Sequence, residues 1–336
     1  MKKYLLPKDG CFYKANLHTH TYLSDGSNTP EEIKKEYIKR GYSVVAFTDH
    51  DILIPHNDLT DDKFLALNGC EIEVNENDDV LWREMKTMHM NCIALEPDNH
   101  YQVCYNPDKY LYANAVNQKD ILVVDDSKPL YEREYSHKGV SKMMDEARNS
   151  GFFVIYNHPA GSMEYYPDYI GYNGMHAMEI INSADMYGGY FGYNPQAYDD
   201  LLRAGKKIFC VAGHDTHSIF DDLFVGWTMI KAEKLEYRAI TDALIKGHTY
   251  VSQGPVIDEL WFENGELHIT TPGVDKIVFT VGNRRENKVI RSQNNELVTE
   301  ASYTIKSDQS YIRVTLYDDM GNAANTNAYF VADLLN

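Results

Sequence analysis

The spacing of apolar residues changes once along this chain of 336 residues, near residue 255, and no other feature constrains the fold as much. Before the change, short apolar runs alternate with amphipathic stretches, the mark of βα units around a mainly parallel sheet. SVVAFTDH, FLALNGCEIEV, MHMNCIAL, GFFVIYNHP, AMEIINS and KIFCVAGHD read as strands. Thr29 as N-cap, Pro30 at the first position and Glu32 three after the cap predict a helix over IKKEYIKRGY. Further helices are expected from about Ser136 to Asn149 and over LEYRAITDALIKG. After GPVID, polar and apolar residues alternate in ELHITT, KIVFTVG and YIRVTLYDDMGN with no convincing helix, which predicts a small antiparallel, sandwich-like β domain. The expected organisation is an α/β domain over residues 1–255 and an all-β domain over residues 256–336.

Bulk composition narrows the function classes. A hydrophobic share of 43% supports a sizeable core. No segment approaches a membrane span, and MKKYLLPKDG lacks the apolar run of a signal peptide, so the cytoplasm is the expected address. Cys11, Cys70, Cys92, Cys104 and Cys210 form no C-x-x-C pair and read as reduced, mostly buried residues. A net charge of -18 argues against a grip on long nucleic acid and leaves a small anion at a locally positive site.

The chemistry-bearing residues sit at strand ends. His18 and His20 in NLHTH are two apart, so a strand sends both imidazoles to one face. Alone, that pair is equally compatible with a surface strand. It is followed by Asp25 in SDG, His50 in TDH, Glu71 in GCEIE, His89 at the start of the next strand, His158 in NHP, and Asp215 with His217 in GHDTH. Nine nitrogen and oxygen donors at successive strand ends suit a multinuclear site for first-row divalent ions.

HTH, SDG, TDHD, G-x-E, a lone His, NHP and D-x-H, in that order over residues 12 to 255, resemble the polymerase and histidinol phosphatase (PHP) superfamily of metal-dependent phosphoesterases. The resemblance implies a distorted (β/α)7 TIM-like barrel. It also implies that His18, His20, Glu71 and Asp215 hold a first ion, that Glu71 bridges to a second held by His89 and His158, and that Asp25, His50 and His217 hold a third. His100 competes with His89, and His214, before the Asp of the last motif, points to the opposite side of a strand.

Three divalent ions would oppose six positive charges to three carboxylates, Asp25, Glu71 and Asp215, leaving a positive pocket in an acidic protein. The expected reaction is hydrolysis of a phosphate ester by a metal-bridging hydroxide, with Asp25, Glu71, Asp215 and His217 as its catalytic residues and Mn, Zn or Fe as its ions. Arg83 and Lys86 are candidates to bind the outer phosphate oxygens, as are Arg133 and Lys138; each taken singly reads more readily as solvated surface charge. Eight tyrosines between Tyr165 and Tyr198 suggest either a platform for a nucleobase or a subunit contact. The expected substrate is therefore a small phosphorylated molecule, a nucleotide or a short oligonucleotide. The alternatives are a carbamate, amide or carboxylic ester hydrolase on the same site, and a binding protein with an inactive barrel.

Overall fold

All four side chains of Val44–Phe47 and all five of Phe152–Tyr156 are buried, so neither strand has a face left for water. Such strands need neighbours on both edges and cover on both sides. The computed structural model describes residues 2–77, 81–125, 127–220, 223–294 and 296–335. Its first part contains β1 (Lys3–Tyr4), β2 (Cys11–Asn16), α1 (Pro30–Lys39), β3 (Val44–Phe47), β4 (Leu65–Asn75), β5 (Thr87–Ala94), α2 (His137–Asn149) and β6 (Phe152–Tyr156). There follow α3 (Tyr166–Tyr169), β7 (Ala177–Asn182), α4 (Ser183–Tyr187), α5 (Pro195–Arg203), β8 (Phe209–Gly213), β9 (Trp227–Ala232), α6 (Tyr237–Lys246) and β10 (Thr249–Ser252).

The expected helix starts have their caps. Thr29 accepts from Glu32 N while Glu32 accepts from Thr29 N, and Ser136 accepts from Gly139 N ahead of α2. Seven strands then follow chain order across the sheet, from β2 to β8. Their pairings are parallel except that β5 runs antiparallel to both β4 and β6. That reversal arises because β4 and β5 form a hairpin, whereas the other steps cross over through helices or longer loops.

Beyond the last paired residues, the two ends of this seven-strand run meet. Thr19 and Thr216 form a parallel bridge, His20 N donates to Thr216 O at 3.0 Å and Asp215 N to His18 O at 3.0 Å. Among the described residues no strand ladder joins β8 to β2, so the fold is a mixed α/β one whose large sheet is brought round by these bonds rather than closed by paired strands. Ala15, Val44, Leu65, Ile155, Ala177 and Val211 pack with Ile240 and Leu244 of α6 as one core.

The C-terminal segment holds β11 (Glu259–Glu263), β12 (Glu266–Val274), β13 (Lys276–Val281), β14 (Lys288–Arg291), β15 (Val298–Thr304), β16 (Tyr311–Tyr317), β17 (Ala323–Thr326), β18 (Tyr329–Phe330) and a short helix, α7 (Val331–Leu335), which alternation of residues did not announce. β1, β11, β12 and β15 make one sheet; β14, β13, β16 and β17 continue the large sheet through pairing of β17 with β10. Leu260, Leu267 and Ile269 pack against Ile277, Phe279, Val314 and Leu316 between them. No helix of the described residues is long and apolar enough to cross a membrane.

Candidate metal centre

Just past β2, His18 and His20 emerge on one side, fully buried, with Nε2 atoms 3.1 Å apart. The loop that follows is folded back by Asp49, which accepts from Thr21 N at 2.7 Å and from Ser24 Oγ at 2.7 Å, and so sets Asp25 beside the histidines. Gly26 lies so close to the His20 backbone that a Cβ would come within 2.8 Å of its carbonyl. His50 follows β3, Glu71 and Glu73 share one face of β4, and His89 lies directly opposite Glu73 on β5. His158 follows β6. Asp215 and His217 follow β8, where Asp215 turns the chain at a φ of 55°.

These nine residues converge in three overlapping groups, and His18 and His158 form a fourth with Glu179. His18 Nε2 lies 3.2 Å from Glu71 Oε2 and 3.5 Å from Asp215 Oδ1, and His20 Nε2 lies 3.3 and 3.2 Å from the same oxygens. The other Glu71 oxygen faces His158 Nε2 at 3.3 Å and His89 Nδ1 at 3.7 Å. Asp25 faces His217 Nε2 at 3.2 Å, His50 Nε2 at 3.7 Å and His20 Nδ1 at 3.7 Å. Within each group one donor atom per residue lies within 4.8 Å of the others. His20 Nδ1 and His50 Nδ1 are buried with no hydrogen-bond partner among the described residues. Buried polar atoms are ordinarily paired; this donor chemistry and these unpaired nitrogens fit first-row divalent cations.

The PHP domain family matches residues 16–251, which span this whole donor set. The chain belongs to the PHP-domain family. Family and donor set together make it a metal-dependent hydrolase. Among solved structures it is similar to a two-domain protein from Bacteroides vulgatus containing a predicted PHP-like metal-dependent phosphoesterase, at 15% identity and a TM-score of 0.43 over 98% of each chain. A candidate metal-dependent phosphoesterase from Bifidobacterium adolescentis is 15% identical, with a TM-score of 0.34, over 63% of this chain and 89% of that one. An amidohydrolase from Chromobacterium violaceum, with sulfate bound and no metal, is 16% identical, with a TM-score of 0.34, over 62% and 89%. No curated protein matches the chain.

In this PHP-domain protein the second nitrogen of four imidazoles is also held. His18 Nδ1 meets Glu179 Oε1 at 3.2 Å, His89 Nε2 meets Glu73 Oε2 at 3.2 Å, His158 Nδ1 meets Ser162 Oγ at 3.2 Å and His217 Nδ1 meets the Asp215 carbonyl at 3.1 Å. Such partners select the tautomer and aim the remaining nitrogen. Asn157 donates to Glu71 Oε1 at 2.7 Å. Of these partners Glu73 is legible in the sequence, two residues after Glu71 and so on the same strand face. Glu179 carried a usable signal, a carboxylate inside the apolar run AMEIIN, because a buried acid must be paired. Ser162 and Asn157 carried none.

Electrostatics show how strongly the centre calls for positive charge. Burial pushes His20 and His158 down, but Glu71 and Asp215 carry both up to about 10. Burial alone would raise Glu71 and Asp215; the imidazoles, His18 foremost, hold both carboxyls well below their usual range. Burial, reinforced by neighbouring His20, lowers His50 to about 4.

The centre opens into a cleft of about 1080 Å³. Arg83 stands on its wall, exposed and 3.6 Å from Glu84. Lys86 is engaged elsewhere, donating to Asp168 at 2.9 Å and lying over the Tyr165 ring. Arg133 lines the cleft, but its nearly enclosed side chain is already engaged, donating to Asp51 at 2.5 Å and to the Glu73 carbonyl at 2.8 Å, so it braces the strand ends. Lys138 is exposed in the first turn of α2. His214 turns away, its ring nitrogens 2.9 Å from the Tyr37 and Tyr42 hydroxyls. His89, rather than His100, joins the cluster.

Proposed function

We propose that this protein hydrolyses phosphate esters of nucleotides or short oligonucleotides, using two or three divalent ions held by His18, His20, Asp25, His50, Glu71, His89, His158, Asp215 and His217. The convergence of these nine donors, six of which line one cleft, carries the reading. Bound divalent ions supply Lewis acidity toward phosphoryl oxygens and lower the pKa of water to near neutrality. Glu71 offers one oxygen to each of two donor groups, which suits a bridging carboxylate. Asp215 ties the His18 and His20 pair to His158, and Asp25 with His217 presents the most open donors, at the cleft mouth. Arg83 is the cation best placed to meet a phosphate. Mn, Zn and Fe all suit this donor set. The five thiols, none in a disulfide, suit the cytoplasm as the proposed address.

One observation favours a carbamate, amide or ester substrate as the second reading: Lys86 and Arg133 are both committed to protein carboxylates, which leaves few cations for a phosphate. The deciding experiment strips the protein of metal, reloads it with Mn, Zn or Fe, and follows turnover of nucleotides, short oligomers, sugar phosphates and aryl carbamates. Phosphate or mononucleotide release only after reloading is the expected result, and Asp25→Ala and His158→Ala should each abolish it without unfolding the chain. Turnover of carbamates alone would replace the proposal by the second reading.

A further inference from the structure

Beside the catalytic cleft runs a second groove of about 450 Å³, floored by Ala160 and Glu164 of the loop that follows His158 and walled by Tyr165, Tyr190 and Phe191. Tyr190 also lines the catalytic cleft, so the two spaces share a wall. The rings are presented to solvent: Tyr165 is 57%, Tyr190 56% and Phe191 85% exposed. Single exposed aromatics are ordinary, whereas a contiguous set on a concave surface marks a binding site.

The backbone beneath these rings is held firmly. Tyr190 N donates to Asp185 O at 2.9 Å, Asn182 N to Gly192 O at 2.8 Å and Asn194 N to Ile180 O at 2.8 Å. Gly192 is required because a Cβ there would run into the Asn182 carbonyl. Asp185 Oδ2 accepts from Gly161 N at 2.9 Å, which ties this aromatic wall to the loop carrying His158. Aromatic side chains carried on a firmly bonded backbone beside the cleft, with Lys86 over one face of the Tyr165 ring and Tyr190 and Phe191 open to solvent, offer a stacking platform, and every nucleobase has a ring face to meet it.

We infer that this groove takes the planar heterocyclic base of a nucleotide whose phosphate lies at the metal centre. The inference rests on the phosphoesterase reading and gives the base of its nucleotide substrate a place. The net charge of -18 keeps the ligand short.

Two measurements test it. The first is calorimetric binding of adenosine and uridine, which carry no phosphate, to the metal-stripped protein and to Phe191→Ala, whose exposed position spares the fold. The second is the ratio of kcat/KM for adenosine 5′-monophosphate to that for ribose 5-phosphate with the Mn-loaded enzyme. Nucleoside binding that weakens about tenfold in Phe191→Ala, with a ratio well above one that falls about tenfold, is expected. Phosphate release from both esters at equal kcat/KM without nucleoside binding would overturn the groove and leave the phosphoesterase reading standing. If no ester is cleaved, that reading fails, and nucleoside calorimetry alone still decides the groove: binding lost in Phe191→Ala upholds it and no binding overturns it.

Discussion

Glu179 shows what a single buried carboxylate can do for a proposed metal ligand. Its Oε1 faces His18 Nδ1, and its Oε2 accepts from Asn182 Nδ2 at 3.0 Å, so the His18 ring is fixed in orientation and tautomer. Glu179→Ala should weaken metal binding about 10- to 100-fold in a chelator competition, because outer partners of ligating histidines carry that much. Glu179→Gln keeps an acceptor and should retain most of the affinity. Equal losses in both variants would mean that charge rather than orientation is at stake.

A titration far from the centre is just as local. Burial, with Arg148 adding to it, lowers His176 from 6.5 to about 4, and its Nδ1 accepts from Val154 N at 3.0 Å. The unfolded chain takes up the proton first on acidification. His176 therefore contributes stability above pH 6.5 that is lost as the pH falls toward 4. The difference in unfolding free energy between the wild type and His176→Gln should narrow from pH 7.5 to pH 4.5 by on the order of 2 kcal/mol in urea denaturation. An unchanged gap would place the effect elsewhere.

At the scale of elements, strand ends carry the donors and small residues let them approach. The end of β8 is the tightest case: a Cβ on Gly213 would fall onto Glu179 Oε1 and the His18 Cβ. Gly213→Ala should displace both, lowering metal affinity at least as much as Glu179→Ala while the far-ultraviolet spectrum stays unchanged. Wild-type affinity in that variant would show that the strand end yields. The hairpin between β4 and β5 is an equally local device. By reversing β5 it puts His89 opposite Glu73, two residues along from Glu71, so that one strand pair supplies the proposed bridging carboxylate, the proposed ligand and the carboxylate that meets that ligand's second nitrogen.

Across the whole molecule, the C-terminal segment is fastened to the catalytic part by a buried charge pair as well as by shared sheet. Arg313 of β16 donates to both oxygens of Asp199 on α5, at 2.8 and 2.7 Å, and Tyr311 donates to the same carboxylate at 3.0 Å. Asp199→Ala strands a buried cation and should cost about 3–5 kcal/mol in urea denaturation, whereas Asp199→Leu with Arg313→Met should be nearly neutral. A small loss in Asp199→Ala would mean that water reaches the guanidinium.

The alternation of strands and helices, the capping box at Thr29 and the order of HTH, SDG, TDHD, NHP and D-x-H were legible because each rests on spacing within a few residues, where backbone geometry alone dictates the outcome. The nine residues proposed as donors from these motifs lie in overlapping groups in the fold. What the chain alone did not reveal depends on distances between segments far apart in sequence: the reversal of β5, Glu179 behind His18, the capture of Lys86 by Asp168 and of Arg133 by Asp51, and the sharing of one sheet by both halves through β10 and β17. Local spacing sets which residues can act as donors. Only packing decides what stands behind each one, because a partner some 160 residues away is chosen by shape and charge in three dimensions.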